Sequence, residues 1–219
     1  MLNKNLKFKR PIFLFGNGEV PDNPLALKKL FQSESIICVD GGTDKLLKLG
    51  LNAKLILGDM DSLNSDIETY KTDFFRLNDQ SKTDLEKSLE WCIESKIEEL
   101  SLIGFSGARD DHAMNTLLAI QSFALQIDIT YYTNYSIIKC VRDRATFKTY
   151  PGQTISIIPT SEDIKITTSG LAYPLKSTIL KSPGHGISNI AKGPEFSINS
   201  NKLVWIFFNI DALGQTKKE

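Results

Sequence analysis

The sequence is poor in the residues from which most metal and redox centres are built. Its 219 residues include three cysteines and two histidines. Cys38, Cys92 and Cys140 stand far apart and form no CxxC pair, so they give neither a disulfide framework nor a thiolate cluster. Reduced thiols in a cytoplasmic compartment are the simplest expectation. His112 and His185 are equally isolated, which argues against zinc and leaves a hard ion on carboxylates, such as Mg²⁺, as the expected metal. Charge of one sign is also missing. Twenty-six Lys and Arg balance 26 Asp and Glu, so the electrostatic signature of a nucleic-acid binder is absent. No apolar run reaches the roughly 18 residues of a membrane span. The apolar stretch 12–15, behind a basic N-terminus, is too short for a secretory leader. What remains is ordinary globular composition, 41% hydrophobic and 24% charged, in a length that allows one large domain or two small ones.

The pattern changes character near residue 140, the new one starting at Ile137. Before it, apolar runs at 12–15, 36–39, 55–57, 74–77, 100–103 and 129–132 predict strands. Helices are predicted at 25–31, 44–49, 83–97 and 111–125. The third has Leu85, Leu89, Cys92, Ile93 and Ile97 on one face and opens on Thr83 and Glu86 in the spacing of a capping box. Strands alternating with helices predict a mainly parallel sheet covered on both faces. After it, short runs at 137–141, 145–149, 154–158, 164–167, 178–180, 196–198 and 203–208 alternate with turn residues alone. That predicts an all-β sandwich or barrel, with a hairpin between Ile198 and Leu203. The expected fold is therefore α/β: a Rossmann-like parallel-sheet domain over 1–136, then an all-β, sandwich-like domain over 137–219.

In a parallel sheet the loops that follow the strands emerge at one edge, where open α/β sheets bind ligands. Here those loops read Gly16-Asn17-Gly18-Glu19, Asp40-Gly41-Gly42, Gly58-Asp59-Met60-Asp61-Ser62, Gln80-Ser81-Lys82-Thr83-Asp84 and Gly107-Ala108-Arg109-Asp110-Asp111-His112. Asp40, Asp59, Asp61, Asp84 and Asp111 are expected to converge there. Two bare carboxylates about 4 Å apart repel by roughly 1–4 kcal/mol at dielectrics from 80 to 20, so the group needs a compensating cation or protons. Mg²⁺ would bridge carboxylate and phosphate oxygens, and Arg109 offers a planar fork for phosphate. Each residue alone also fits a turn, a cap or a surface ion pair; their meeting at one edge is what points to a site.

Four stretches in this order resemble the thiamine pyrophosphokinase family: Val39-Asp40-Gly41-Gly42, Leu57-Gly58-Asp59-Met60-Asp61-Ser62, Gln80-Ser81-Lys82-Thr83-Asp84-Leu85-Glu86-Lys87, and Gly107-Ala108-Arg109-Asp110-Asp111-His112. In the β-rich part Gly152-Gln153-Thr154-Ile155, Thr168-Ser169-Gly170-Leu171-Ala172-Tyr173-Pro174 and Gly186-Ile187-Ser188-Asn189 resemble the family's thiamine-binding domain. Three positions depart from it: Ala108 replaces a common Gly, Thr116 a common Asn, and Ile190-Ala191 a Glu-Pro pair of many bacterial members.

The resemblance implies transfer of the terminal diphosphate of ATP to the hydroxyl of thiamine, giving thiamine diphosphate and AMP. It implies Mg²⁺, with ATP as co-substrate, and a homodimer with the active site at the subunit interface. Carried onto this chain, Asp59, Asp61 and Asp84 hold the metal, and Arg109 and Asp111 join them as catalytic residues. Asp40, Gly41, Gly42, Gln80, Lys82, Thr83 and Arg109 border ATP. Leu171, Tyr173, Pro174, Ser188 and Asn189 meet thiamine. Asp111 is expected either to orient the hydroxyl or to accept its proton. The same acidic loops also suit a Mg²⁺-dependent phosphohydrolase, and the same scaffold suits a non-catalytic thiamine- or nucleotide-binding protein.

Overall fold

The computed structural model of the chain describes residues 6–59, 70–107 and 109–210. It is a mixed α/β fold dominated by sheet, and the chain divides into two compact units, Met1–Asn134 and Tyr135–Glu219.

The first unit carries β1 (Ile12–Phe15), β2 (Ser35–Val39), β3 (Leu55–Gly58), β4 (Asp73–Arg76), β5 (Glu99–Ile103) and β6 (Asp128–Tyr132), all in parallel register. Their lateral order is β6-β5-β1-β2-β3-β4. Every residue of β1, β2 and β3 is buried. That is the mark of strands covered on both faces, and it is why they read as unbroken apolar runs rather than alternating ones. The edge strand β4 is only partly covered. Between the strands lie α1 (Pro24–Phe31), α2 (Gly42–Lys48), α3 (Asp84–Glu94) and α4 (Asp110–Phe123).

Local chemistry starts these helices where the sequence places them. The Asn23 side chain accepts from the Leu25 N–H and Pro24 fills the first turn, where a missing donor costs nothing. At α3 the Thr83 hydroxyl accepts from the Glu86 N–H while the Glu86 carboxylate accepts from the Thr83 N–H at 3.0 Å. The three thiols are buried, and burial pushes those of Cys92 and Cys140 up to about 12, so they act as small apolar side chains.

The second unit is antiparallel throughout. It holds β7 (Ser136–Lys148), β8 (Thr154–Pro159), β9 (Lys165–Ser169), β10 (Thr178–Ile179), β11 (Asn189–Ile190) and β12 (Glu195–Asn209). Here the expected hairpin is corrected. Residues 195–209 form one strand that pairs with β7 along its length, and the register slips between Ser200 and Val204. The predicted strands 137–141 and 145–149 are likewise one strand, β7, with Asp143 at φ +62° opposite the slip. The Asn199-Ser200-Asn201 signal marks an irregularity that bends a long ribbon, not a chain reversal. Beyond the bend β12 changes partner, from β9 at Ser197–Ser200 to β8 at Val204–Phe208. The core of this unit gathers Ile155, Ile157, Ile166, Phe196, Ile198, Val204, Ile206 and Phe208. These residues recur with period two along each strand.

One backbone position joins fold to site. Gly58 ends β3 at φ +146°, and a Cβ there would lie 2.0 Å from the Asp40 carboxylate. Gly58→Ala is expected to lower stability by about 1–3 kcal/mol, from an unfavourable φ and a displaced carboxylate. Urea unfolding measures this, and an unchanged midpoint would mean that Asp40 moves aside freely.

Candidate active site

The strand order reverses between β1 and β5, which lie side by side although α1 to α3 separate them in sequence. A crevice at the carboxyl ends of such strands is where α/β sheets take ligands. The loops that leave these two strands bind each other closely. The Gly18 N–H donates to the Gly104 carbonyl at 2.6 Å, and the Glu19 N–H to that of Ser106 at 2.6 Å. A Cβ on Gly16 would fall 2.5 Å from the Gly104 oxygen, so the crossing needs glycine. The Lys45 ammonium holds the Asn17 and Gly18 carbonyls from below, at 2.5 and 2.7 Å.

A cavity of about 460 Å³ opens at this edge, within the size range of small-molecule sites. It is lined by Asp40, Asp59, Gln80, Lys82, Thr83, Asp84 and Arg109 among the residues predicted for the site. Gly41 and Gly42 are buried under it, as the cap and first residue of α2. Asp111 is exposed beside it, on the first turn of α4. Asp61 lies outside the described residues. Sequence reasoning assigned no site role to Lys87, Asn17, Ser106, His112 or Asn115, which also line the cavity. For Lys87 a signal existed: it follows Asp84 by three positions on a helix, a spacing at which side chains meet. For Asn17 and Ser106 the missing information was that β1 and β5 are neighbours.

Asp40 is buried at φ +41°, a strained conformation for a residue other than glycine. Its carbonyl accepts from the Thr43 N–H and hydroxyl, at 3.0 and 2.9 Å. The Asp59 carbonyl accepts from the Arg76 guanidinium at 3.0 Å, which ties this loop to β4.

The three cations of the cavity are each paired with a carboxylate. Lys87 Nζ lies 2.7 Å from Asp84 Oδ1, with the lysine side chain 5% exposed and the aspartate 48%. Burial opposes the lysine's charge, but the Asp84 carboxylate, with Asp59 and Asp40 behind it, outweighs that and raises its pKa. Lys82 Nζ donates to both Glu90 oxygens at 2.7 and 2.8 Å, and this bond raises its pKa. Arg109 forks onto Asp111, Nε to Oδ1 at 3.0 Å and Nη2 to Oδ2 at 2.5 Å. That fork, helped by the His112 N–H, lowers the Asp111 carboxyl to about 2.

In the second unit Asn189 is buried and spends its amide on the backbone of Tyr173. Its Oδ1 accepts from the Tyr173 N–H at 3.1 Å and its Nδ2 donates to the Tyr173 carbonyl at 2.7 Å. Leu171 is buried in the core, whereas Tyr173 is 70% exposed. Pro174 and Ser188 are exposed, and the Ser188 N–H donates to the Ser156 hydroxyl.

Two family models match this chain. "Thiamin pyrophosphokinase, catalytic domain" matches residues 27–131, and "Thiamin pyrophosphokinase, vitamin B1 binding domain" matches residues 137–205. The chain belongs to the thiamin pyrophosphokinase family. It is 34% identical over 96 residues to thiamin pyrophosphokinase 1 of Caenorhabditis elegans, a match that spans 40% of each protein. It is 28% identical over 156 residues to the thiamine pyrophosphokinase of Bacillus subtilis, spanning 64% of this chain and 70% of the relative. The fold is shared with the crystal structure of the Bacillus subtilis thiamine pyrophosphokinase, at TM-score 0.77 and 23% identity over 91% of this chain and 99% of that one. The Candida albicans thiamin pyrophosphokinase superposes at TM-score 0.77 and 16% identity, over 91% and 88%. This is an enzyme family, and its catalytic-domain model covers all described residues of the cavity beyond Asn17 and Gly18.

The Arg109–Asp111 pair gives a pH prediction for this family member. A carboxyl held below its unfolded value of about 3.9 keeps its pair intact above that pH and loses it as the pH falls toward 2. Carbon NMR of the Asp111 carboxyl is expected to show a midpoint near 2, returning toward about 3.9 in Arg109→Ala. An unchanged midpoint in the variant would remove Arg109 as the cause.

Proposed function

We propose that this chain is a thiamine diphosphokinase that moves the terminal diphosphate of ATP onto the hydroxyl of thiamine and releases AMP. The observation that carries this reading is the cavity at the β1/β5 switch point, with carboxylates and paired cations around one space. The parallel order of the first unit and its interleaved helices support reading it as the Rossmann-like, ATP-binding part. The antiparallel second unit, with its bent ribbon, supports the sandwich-like, thiamine-binding reading.

The residues fit a Mg²⁺ ion. Asp40, Asp59 and Asp84 offer hard oxygen donors to one cavity. Among the described residues no three acidic, His or Cys side chains stand close enough to hold a metal by themselves. Mg²⁺ suits that arrangement, since it commonly takes one or two carboxylates and completes its shell with substrate phosphates and water. Asp59 and Asp84, with Asp61, are the residues we assign to it. When bound it would supply Lewis-acid stabilisation of the charge that develops on the phosphates.

The chain's own groups do the rest. The Gly-rich loops after β1 and β5 let phosphate oxygens approach the backbone closely. Gln80, Lys82 and Thr83 border the nucleotide, as does Asp40 above Gly58. Arg109 offers the transferred diphosphoryl group the guanidinium N–H groups that Asp111 leaves free, while Asp111 holds Nε and Nη2. A carboxyl at about 2 is a weak base, so Asp111 orients rather than accepts a proton. The hydroxyl oxygen of thiamine bonds to the β-phosphorus as the bond to the bridging oxygen breaks; the hydroxyl proton passes to water, and AMP leaves with the bridging oxygen. Most of the acceleration would come from positioning and electrostatics. Tyr173, exposed on the second unit, offers an aromatic face to the thiamine cation, with Leu171, Pro174, Ser188 and Asn189 shaping that surface. The homodimer implied by the resemblance belongs to this proposal. In it, the acidic cavity of one protomer works with the thiamine surface of its partner.

Phosphorus NMR with ATP, Mg²⁺ and thiamine tests the reaction. AMP and thiamine diphosphate are expected in equal amounts and only when thiamine is present. Free phosphate without thiamine would point to a phosphohydrolase instead. Asp84→Asn is expected to lower kcat at least 100-fold with the fold retained. Tyr173→Ala is expected to raise the thiamine KM about tenfold, leaving the ATP KM unchanged, because roughly 1–2 kcal/mol of cation–π contact is lost. A change confined to the ATP KM would place Tyr173 elsewhere.

A further inference from the structure

Asn134 is the last residue of the first unit, yet it spends its polar groups on residues 19–23, which lie 111 to 115 positions earlier in the chain. Its Oδ1 accepts from the Asp22 and Asn23 N–H groups at 2.8 and 3.2 Å. Its carbonyl accepts from Asn23 Nδ2 at 3.1 Å, and its Nδ2 donates to Glu19 Oε1 at 3.4 Å. These partners fix which way the amide faces, because two N–H groups need an oxygen and a carboxylate needs a nitrogen. Residues 20–23 belong to no helix or strand, so no ladder of their own holds them. This segment is joined to both loops of the switch point. The Glu19 N–H sits on the Ser106 carbonyl at 2.6 Å, and the two residues pair as an isolated bridge. The Glu19 side chain packs where a Cβ on Gly107 would stand, and the Gly107 carbonyl accepts from the Arg109 N–H at 2.7 Å. Asn134 itself does not line the cavity.

We propose that Asn134 is a positioning residue for ATP: through Glu19 and the backbone of residues 22 and 23 it sets where Gly18, Ser106 and Arg109 stand at the rim of the cavity. The physical reason lies in the composition of those loops. Gly16, Gly18, Gly104 and Gly107 allow a close approach of backbone to ligand, but glycine also has the widest conformational freedom, so the loops supply little rigidity of their own. A working site is held to within about 0.5 Å, and a misplacement of about 1 Å can cost a hundredfold in rate. The bracing therefore has to come from outside the loops. Asn134 supplies it from two residues past the end of β6, a strand of the same parallel sheet. This rests on reading the cavity as the nucleotide site.

The test is steady-state kinetics of the full chain, with ATP and thiamine varied separately. Asn134→Ala removes the acceptor and the donor together, and is expected to raise the ATP KM at least tenfold while the thiamine KM stays within twofold. Asn134→Asp keeps the acceptor but sets a carboxylate against that of Glu19, and is expected to raise the ATP KM as well. Adding Glu19→Gln to it restores a donor and an acceptor in the reverse direction, and is expected to recover at least half of the loss. A merely structural asparagine would lower the melting temperature or the active fraction, moving neither KM, and a change at Glu19 would not repair it. An ATP KM unchanged in Asn134→Ala or in Asn134→Asp overturns the proposal. So does an equal rise in the thiamine KM, or no recovery with Glu19→Gln. Circular dichroism reports folding. If Asn134→Ala is unfolded, Glu19→Ala breaks the same link from its other end and takes its place under the same criteria. If neither folds, the asparagine serves folding alone and the proposal falls. Absence of thiamine diphosphate formation by a parent that still binds ATP would instead overturn the functional reading. Calorimetric ATP affinity, with the same tenfold criterion, would then decide the role of Asn134. A parent that neither turns over nor binds ATP overturns both.

Discussion

The parallel alignment of the first six strands is the constraint on which the site depends. Parallel neighbours present the same end to the same edge, so each loop that follows a strand must compete for one rim. β1 sits centrally, with β2 on one side and β5 on the other, and the chain leaves β1 in one direction and returns in the other. The gap so created cannot be closed by a crossover helix. The Gly16-Asn17-Gly18 loop and the segment from Gly104 to Gly107 fill only its floor, and their mutual hydrogen bonds demand glycine at the crossing. Packing thus makes the cavity, before any catalytic residue is considered.

Charge then decides what the cavity can hold. Carboxylates on adjacent loops would force one another apart, and the fold meets this by pairing. Lys87 answers Asp84 inside, Lys82 answers Glu90, and Arg109 answers Asp111 at the surface. These pairs differ in consequence. The exposed ones are screened and contribute little to stability. The Lys82–Glu90 pair can be exchanged for phosphate oxygens at small cost, which suits a cation that must meet an anionic substrate. The interior pair cannot be exchanged so cheaply, because separating it leaves a desolvated charge behind. Mobility of charge at the rim and fixity at the base is the arrangement expected where a polyanion is drawn in and then held in one register.

Much of this was legible in the sequence, for identifiable reasons. β1 begins and ends at the predicted residues because an apolar run stops at glycine. α3 was legible because Thr83 and Glu86 announce its start and Leu85, Leu89 and Cys92 repeat on one face. The loop Asp59 and the helical Asp84 reach one cavity, as the carboxyl-edge argument required. What the sequence hid was non-local. The three-residue spacing lets Lys87 meet Asp84, but nothing near Lys87 says that its side chain is buried as it does so. Nothing near residue 200 distinguishes a hairpin from a bend in one strand, since Asn and Ser favour both. Only the partner strand β7, continuous past Asp143, decides it. Asn189 is a similar case. Its place in an ordered motif suggested a ligand contact; what the sequence did not show is that its buried amide also clamps the neighbouring segment through two bonds to Tyr173.

That clamp bears on the departure at Ile190. Segments 171–173 and 189–191 run antiparallel, with Leu171 bridged to Ala191 and the Ala172 N–H on the Ile190 carbonyl at 2.8 Å. Ile190 is 41% exposed on the segment that fixes Tyr173. Where many bacterial relatives of the resemblance carry a glutamate, this chain therefore presents an exposed aliphatic side chain on the segment paired with 171–173. A carboxylate there would attract an organic cation over several ångströms. Ile190 and Tyr173 attract it only on contact, through the ring face and through apolar area removed from water. On the proposed reading, recognition of thiamine in this chain leans on shape and on the orientation of Tyr173. The buried amide of Asn189 then serves that recognition through the backbone of Tyr173, whose N–H and carbonyl it holds.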